Sequence, residues 1–210
     1  MKRAYHLLLS IALLAAPAAA LAKNILVLGD SLSAAFGIPQ QAGWVSLMQQ
    51  RLLENNSSYK VINASISGET TSGGVARIQG LLKQHQPDIV ILELGANDGL
   101  RGLPIKEMRK NLEQIIQKCK LARVNVVLVG LRLPPNYGPL YTRAFEQTYS
   151  ELASQHRITL VPFLFAGLED SPYHFQSDNL HPTSAAQGIL MNNVWRQLEP
   201  LLTSGSPTDK

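Results

Sequence analysis

The sequence predicts one α/β domain of three layers, in which a parallel five-stranded sheet lies between two layers of helices. Three observations predict this class. Apolar strand-like segments alternate with segments of helical periodicity along the chain. Two of the apolar segments are nearly continuous in Val, Ile and Leu, as strands covered on both faces should be. The length of 210 residues suits a single domain, and alternating strands and helices form parallel βαβ units with right-handed crossovers.

Five short apolar segments are predicted as strands, with helices between them. The strands are expected at 25–28, 61–62, 89–94, 124–131 and 158–161. The helices are expected at 44–53, 75–84, 104–121, 141–155 and 184–201. The last helix should begin with a capping box formed by Ser184 and Gln187. Because the carboxyl ends of parallel strands meet at one edge of a sheet, functional groups are expected in the five loops that follow them.

The two ends of the chain differ from this predicted domain, which spans 23–202. Lys2 and Arg3 precede the apolar residues 7–14, and small residues follow up to Ala22. This pattern is typical of a secretory signal peptide at 1–22, and the apolar run is shorter than the ~20 residues of a membrane span. The polar segment 203–210 is predicted to be a disordered tail. We therefore expect a periplasmic or secreted protein that has no membrane span after cleavage.

Charge and cysteine content exclude several classes of protein. The formal net charge is +4, but the Lys and Arg residues outside the leader are scattered, which argues against binding to nucleic acid. Cys119 is the only cysteine, so no internal disulfide is possible. Its helical spacing from Ile115 and Ile116 favours a buried thiol over a nucleophile. A small domain with few aromatic residues is compatible with a monomer.

Ser31 directly follows the first predicted strand and the turn residue Gly29, so it should lie at the carboxyl edge of the sheet. A serine nucleophile needs a base, and the base needs an acceptor that fixes its tautomer. Asp178 and His181 offer such a pair, because Pro182 disfavours a helix and a tight turn could fold the carboxylate onto the imidazole. We predict Ser31 as nucleophile, His181 as base and Asp178 as its orienter. Each residue alone could instead be a helix cap or a surface histidine.

Donors for an oxyanion are expected after the second and third strands. Asn97 could direct its side-chain amide into the crevice, and Gly68 could present its backbone N–H because it has no Cβ. A metal site is an alternative for the last loop, since His174, Asp178 and His181 are spaced four and three apart, like ligands on one helical face. The prolines that flank this segment argue against such a helix, and no metal is predicted.

Four blocks of the chain resemble, in family order, the SGNH hydrolase superfamily, also called the GDSL esterases. These blocks are Gly29-Asp30-Ser31-Leu32-Ser33, Ser67-Gly68-Glu69-Thr70, Gly95-Ala96-Asn97-Asp98 and Asp178-Asn179-Leu180-His181-Pro182. The size, the leader and residues 95–102 are most similar to the thioesterase I, protease I and lysophospholipase subfamily, with its arylesterase relatives. Many relatives have glycine where this chain has Asn179, but asparagine tolerates the left-handed backbone.

The resemblance implies a flavodoxin-like sheet, no cofactor, and hydrolysis of fatty acyl thioesters, lysophospholipids, and aryl or short-chain esters. It also implies an oxyanion hole made by the backbone amides of Ser31 and Gly68 with the side chain of Asn97. The expected partner is thus a small-molecule or lipid acyl ester.

An acyl-chain groove is predicted from apolar residues in loops near the same edge of the sheet. The groove residues are Leu100, Leu103, Pro134, Tyr137 and Tyr141, although they could instead pack only against the adjacent helices. Two other functions stay open. A carbohydrate O-deacetylase would share the fold and the catalytic residues, but the apolar loops count against it. A non-catalytic periplasmic lipid-binding protein would leave the four blocks unexplained.

Overall fold

The computed structural model describes residues 23–168 and 172–203, and five parallel strands form its single sheet in the order β2-β1-β3-β4-β5. The strands are β1 (Lys23–Gly29), β2 (Tyr59–Asn63), β3 (Ile89–Glu93), β4 (Asn125–Val129) and β5 (Thr159–Val161). This is the flavodoxin-like order, and the direction of connection reverses between β1 and β3. The predicted fold class is confirmed.

Helices cover both faces of the sheet. They are α1 (Trp44–Glu54), α2 (Thr71–His85), α3 (Ala96–Leu100), α4 (Ile105–Leu121), α5 (Pro139–His156) and α6 (Gln187–Thr203). Helix α1 packs against α6, while α4 packs against α2 and α5 on the other face, as right-handed crossovers require. Within the described part of the chain, no helix is long and apolar enough to cross a membrane.

The core lies on both sides of the central strands. All five residues of β3 are buried, and Ile25 to Leu28 of β1 have no exposed surface. Each such Leu or Ile side chain contributes about 1.5–3 kcal/mol through removal from water. Cys119 is buried as predicted, and burial raises the pKa of its thiol to about 12, which suppresses the nucleophilic thiolate.

Two local predictions are wrong. The segment between the predicted strand 89–94 and the predicted helix 104–121 was expected to be a loop, but α3 forms within it, and the Asp98 carboxylate of α3 accepts hydrogen bonds from the backbone N–H and hydroxyl of Thr71. The capping box at the last helix does not form. Ser184 lies in a short 3-10 turn, and the buried side chain of Gln187 accepts a hydrogen bond from the backbone N–H of Trp44 instead.

The leader and the tail that the sequence predicts on either side of the domain lie mostly outside the described residues. Helix α6 includes Thr203, the first residue of the predicted tail. The rest of that tail, 204–210, and the predicted signal peptide at 1–22 lie outside the described residues.

Candidate active site

Ser31 lies on a tight turn that leaves β1 at the carboxyl edge of the sheet. The Ala34 N–H donates to the Asp30 carbonyl, and the Phe36 N–H donates to the Ser31 carbonyl. The Trp44 indole N–H donates to the Leu32 carbonyl at 3.1 Å. These bonds anchor the turn to α1 on one side of Ser31. Ser31 is therefore held by contacts of the turn backbone, and its hydroxyl faces the crevice.

Asp178 and His181 lie on a second turn, between β5 and α6. The backbone of Phe175 pairs with Pro182, and the Gln176 N–H donates to the His181 carbonyl at 2.8 Å. Asn179 has a φ of 55°, the left-handed conformation that this turn needs and asparagine tolerates. The turn brings Asp178 Oδ2 to 2.6 Å from His181 Nδ1.

A hydrogen bond joins the two turns across the crevice. His181 Nε2 lies 2.9 Å from Ser31 Oγ, so Ser31, His181 and Asp178 form one continuous hydrogen-bonded chain. The other oxygen of Asp178 accepts the backbone N–H groups of Leu180 and His181, at 2.9 and 3.0 Å. The His181 N–H and the imidazole hold the pKa of the Asp178 carboxyl at about 2. Asp178 therefore stays ionised, and its charge favours the tautomer of His181 that carries a proton on Nδ1.

The three predicted oxyanion donors line one cavity with His181. Gly68 has a φ of 80°, a conformation that favours glycine. Within residues 23–168 and 172–203, the backbone N–H groups of Ser31 and Gly68 have no hydrogen-bond acceptor. The Asn97 amide differs, because its Nδ2 lies 3.0 Å from both Asp30 Oδ2 and the Glu69 carbonyl. Both of its hydrogens are thus engaged within the protein.

The cavity has a volume of about 590 Å³ and a mainly apolar wall. Two of the predicted groove residues, Leu100 and Pro134, are part of that wall. Leu103, Tyr137 and Tyr141 are not. The hydroxyl groups of the two tyrosines donate to the carbonyls of Leu100 and Leu103 at 2.9 and 2.7 Å, so these side chains pin the loop after α3 from outside the cavity. Their placement in the groove is therefore corrected.

Four phenylalanines form the part of the wall that the sequence analysis did not include: Phe36, Phe163, Phe165 and Phe175. The ring centroids of Phe36 and His181 lie 4.5 Å apart. Phe165 packs between the rings of Phe163 and Phe175. The spacing of Phe163 and Phe165 by two residues, directly after a strand, is a signal that could have indicated them. Two side chains of such a pair point to the same face of an extended segment.

Comparisons with known proteins agree with this geometry. The model of the GDSL-like lipase/acylhydrolase family matches residues 27–189. The chain belongs to this family. It is 46% identical over 183 residues to esterase TesA of Pseudomonas aeruginosa, covering 87% of this chain and 91% of the relative. It is 44% identical over 176 residues to an arylesterase of Vibrio mimicus, covering 84% and 88%.

A third relative is thioesterase 1/protease 1/lysophospholipase L1 of Escherichia coli, 41% identical over 188 residues, with 90% of this chain and 89% of the relative covered. A crystal structure of TesA has a TM-score of 0.83 and 45% identity, over 85% of this chain and 99% of that one. These three relatives are named as an esterase, an arylesterase and a thioesterase. As a member of the same family, this chain is an ester hydrolase.

Two carboxyl groups are buried beneath Ser31, and the sequence analysis assigned neither of them a role. Asp30 accepts the Leu32 N–H with one oxygen and the Asn97 amide with the other. Glu93 accepts the Ser33 hydroxyl at 2.6 Å and the Asp30 N–H at 3.3 Å. Within the described residues its second oxygen has no partner. A lone acidic residue at the end of the apolar strand β3 is the signal that could have found it.

Burial governs the charge of this pair. It raises the pKa of Asp30 to about 6, against the hydrogen bond from the Leu32 N–H, which lowers it. Burial and the neighbouring Asp30 carboxylate raise the pKa of Glu93 well above its usual range. Glu93 therefore favours its neutral form, while Asp30 ionises at higher pH and becomes a charged acceptor for the Asn97 amide.

The alternative of a metal site in the last loop finds no counterpart in the geometry. His181 bonds to Asp178 through Nδ1 and to Ser31 through Nε2, while His174 lies in a separate 3-10 turn. Among the residues that the structure describes, no three His, Cys, Asp or Glu side chains are grouped as metal ligands.

Proposed function

We propose that the protein is a serine esterase that hydrolyses acyl esters and thioesters through an acyl-enzyme on Ser31. One observation carries the proposal: the hydrogen-bonded chain from Ser31 through His181 to Asp178 opens into a mainly apolar cavity. The cavity volume of about 590 Å³ falls within the ~300–1,000 Å³ range of small-molecule sites. The names of the relatives support aryl esters, acyl thioesters and lysophospholipids as substrate classes.

The first half-reaction transfers the acyl group to the enzyme. Ser31 Oγ attacks the carbonyl carbon while His181 Nε2 takes the hydroxyl proton, and Asp178 stabilises the imidazolium through Nδ1–H. When the tetrahedral intermediate collapses, its bond to the leaving oxygen or sulfur breaks and His181 returns the proton to that atom. In the second half-reaction, water gives a proton to His181 as it attacks the acyl carbonyl carbon; the bond to Ser31 Oγ then breaks, His181 returns the proton to Oγ, and the free acid leaves.

The oxyanion of each tetrahedral intermediate needs preorganised donors. The amides of Ser31 and Gly68 suit this role because no acceptor in the described part of the protein uses them. The Asn97 side chain becomes a third donor when the N–H that donates to the Glu69 carbonyl is shared with the oxyanion. Its other N–H stays hydrogen-bonded to the ionised Asp30, which holds the amide plane in place.

The proposal also includes the location and the assembly of the protein. The leader pattern at 1–22 supports export to the periplasm or secretion, followed by cleavage. A monomer is sufficient for function, since one chain supplies all the proposed catalytic groups. The mainly apolar wall favours acyl chains over sugars, which argues against the O-deacetylase alternative.

Hydrolysis of p-nitrophenyl esters from acetyl to palmitoyl, with fluorophosphonate labelling, tests the proposal. The wild type should hydrolyse the esters and be labelled, and Ser31→Ala should lose labelling and about 10⁴-fold or more in turnover. Asn97→Ala should lose about 10²–10³-fold. Ser67→Ala is a matched control, because it removes another hydroxyl from the same cavity wall and should keep both activities. Equal rates from wild type and Ser31→Ala would reject the esterase and favour the lipid-binding alternative.

A further inference from the structure

The exposed hydrophobic side chains are concentrated around the mouth of the catalytic cavity. Eight large hydrophobic residues are exposed in the described part of the chain. Six of them lie at the carboxyl edge of the sheet, and we call these the apolar rim: Phe36, Ile66, Leu103, Leu140, Tyr173 and Leu180. The other two, Leu53 and Leu121, end α1 and α4 at the opposite edge.

Part of the apolar rim lies at the mouth itself. Phe36 and Leu180 line the cavity, and Ile66 precedes the lining residues Ser67 and Gly68. Leu103 and Leu140 are connected through Tyr141, which follows Leu140 and whose hydroxyl donates to the Leu103 carbonyl. All five loops that follow the strands, or the helix starts beside them, thus contribute an exposed apolar side chain to one surface.

Two rim residues have almost no packing within the protein. Leu140 is 84% exposed and Tyr173 is 86% exposed. Neither lines the cavity, so acyl-chain binding does not explain them. Leu140 belongs to the first turn of α5, and the Tyr173 carbonyl accepts a hydrogen bond from the Thr183 hydroxyl. These side chains project outward from an ordered scaffold, as residues that insert into another phase would.

The chemistry around the rim suits a lipid surface. Arg101 and Lys106 are exposed on either side of Leu103, and neither forms a salt bridge within 23–168 and 172–203. Cations beside apolar side chains match the phosphate and acyl layers of a phospholipid surface. A protein partner on the rim would cover the mouth and block access to Ser31, whereas a lipid surface would supply the substrate there.

We propose that the apolar rim docks the protein on phospholipid surfaces, so that an acyl ester enters the cavity directly from the lipid layer. This inference rests on the proposed esterase function for its substrate. It adds a binding surface that the hydrolysis of soluble esters does not require. Docking is reversible, because the rim offers a few side chains rather than a hydrophobic span.

Flotation with phosphatidylcholine vesicles tests the docking surface. The mature protein and the double variant Leu140→Ser/Tyr173→Ser are titrated with vesicles, and the bound fraction is measured at each lipid concentration. The wild type should float with the vesicles, and the double variant should bind at least about tenfold more weakly, since each exposed side chain loses its transfer into the lipid layer. Hydrolysis of lysophosphatidylcholine embedded in the vesicles should fall by a similar factor.

The double variant Leu53→Ser/Leu121→Ser is the matched control. Its side chains are 66% and 86% exposed but lie at the opposite edge, so it should bind vesicles like the wild type. Both double variants should hydrolyse p-nitrophenyl butyrate in lipid-free buffer within about twofold of the wild type, because neither changes the cavity. This soluble assay also separates the two proposals, since a wild type that floats but does not hydrolyse the ester contradicts only the esterase function.

Three results would overturn the docking proposal. The wild type could fail to float, both double variants could bind equally, or sedimentation could show a dimer that only Leu140→Ser/Tyr173→Ser abolishes. The last result would assign the rim to a second copy of the chain.

Discussion

Replacement of Asp30 by asparagine should change how the stability of the protein depends on pH. Asp30 has no exposed surface, and its pKa is raised from 3.8 to about 6 by burial. Between these values the unfolded chain has released the proton and the folded chain still holds it. Because the native state binds more protons over this window, the free energy of unfolding falls as the pH rises. Asparagine does not titrate, so this part of the pH dependence should disappear in Asp30→Asn.

The size of the effect follows from the two pKa values. A shift from 3.8 to about 6 corresponds to about 3 kcal/mol at 1.36 kcal/mol per pKa unit. About 2 kcal/mol of this falls between about pH 4.5 and about pH 7.5. The variant should therefore gain about 2 kcal/mol relative to the wild type across that range. A constant offset is superimposed, since one of the two donors that face Asp30 loses its acceptor.

Urea unfolding monitored by tryptophan fluorescence provides the measurement, because Trp44 and Trp195 are both buried. Free energies of unfolding are determined for both proteins at several pH values in that range. Glu54→Gln, which removes an exposed carboxylate, measures the contribution of net charge alone. A difference between wild type and Asp30→Asn that stays constant with pH would refute the reasoning, because Asp30 would then titrate alike in the folded and unfolded states.

Two further predictions concern the acid-base turn and the close approach of two strands. Asp178→Asn should lower kcat for p-nitrophenyl butyrate by about 10⁴-fold, because the neutral amide no longer fixes the imidazole tautomer. The control Asp88→Asn, at the opposite edge of the sheet, should leave kcat unchanged. A loss below tenfold in Asp178→Asn would contradict the role of Asp178. Gly130→Ala should lower the free energy of unfolding by about 3 kcal/mol, since its Cβ would lie 2.4 Å from the Pro162 carbonyl oxygen. Gly80→Ala, with nothing within 4 Å, should raise it by about 0.5–1 kcal/mol in thermal unfolding; equal effects of the two would contradict the packing argument.

The fold could be predicted because its signals are local. Strands covered on both faces must be apolar, so β3 and β4 could be predicted from the sequence. The candidate nucleophile and base could also be placed, since each follows a strand and the sheet gathers those ends at one edge. Their hydrogen bond of 2.9 Å is the contact that the prediction required. Their catalytic roles stay predictions until the variants are measured.

What could not be predicted depends on contacts between distant segments. Helix α3 is joined to the start of α2 by the hydrogen bonds that Thr71 donates to Asp98, and a segment of five residues is too short for a periodic pattern to predict it. Tyr137 and Tyr141 are close to the cavity in sequence, but the directions of their hydroxyl groups place them outside it. Glu93 stands out as a lone acid at the end of an apolar strand, but its hydrogen bonds to Ser33 and to the Asp30 N–H depend on a turn about 60 residues earlier in the chain.

The turn that carries Asp178 and His181 is closed mainly by bonds within the segment 174–183. The relation between acid and imidazole is therefore set by a short peptide, whereas the distance to Ser31 is set by the whole sheet. The Gln176 side chain connects the two, because it donates to the Phe36 carbonyl in the turn after β1. We expect changes in the chain before this segment to leave the pair of acid and imidazole intact, as long as that contact is kept.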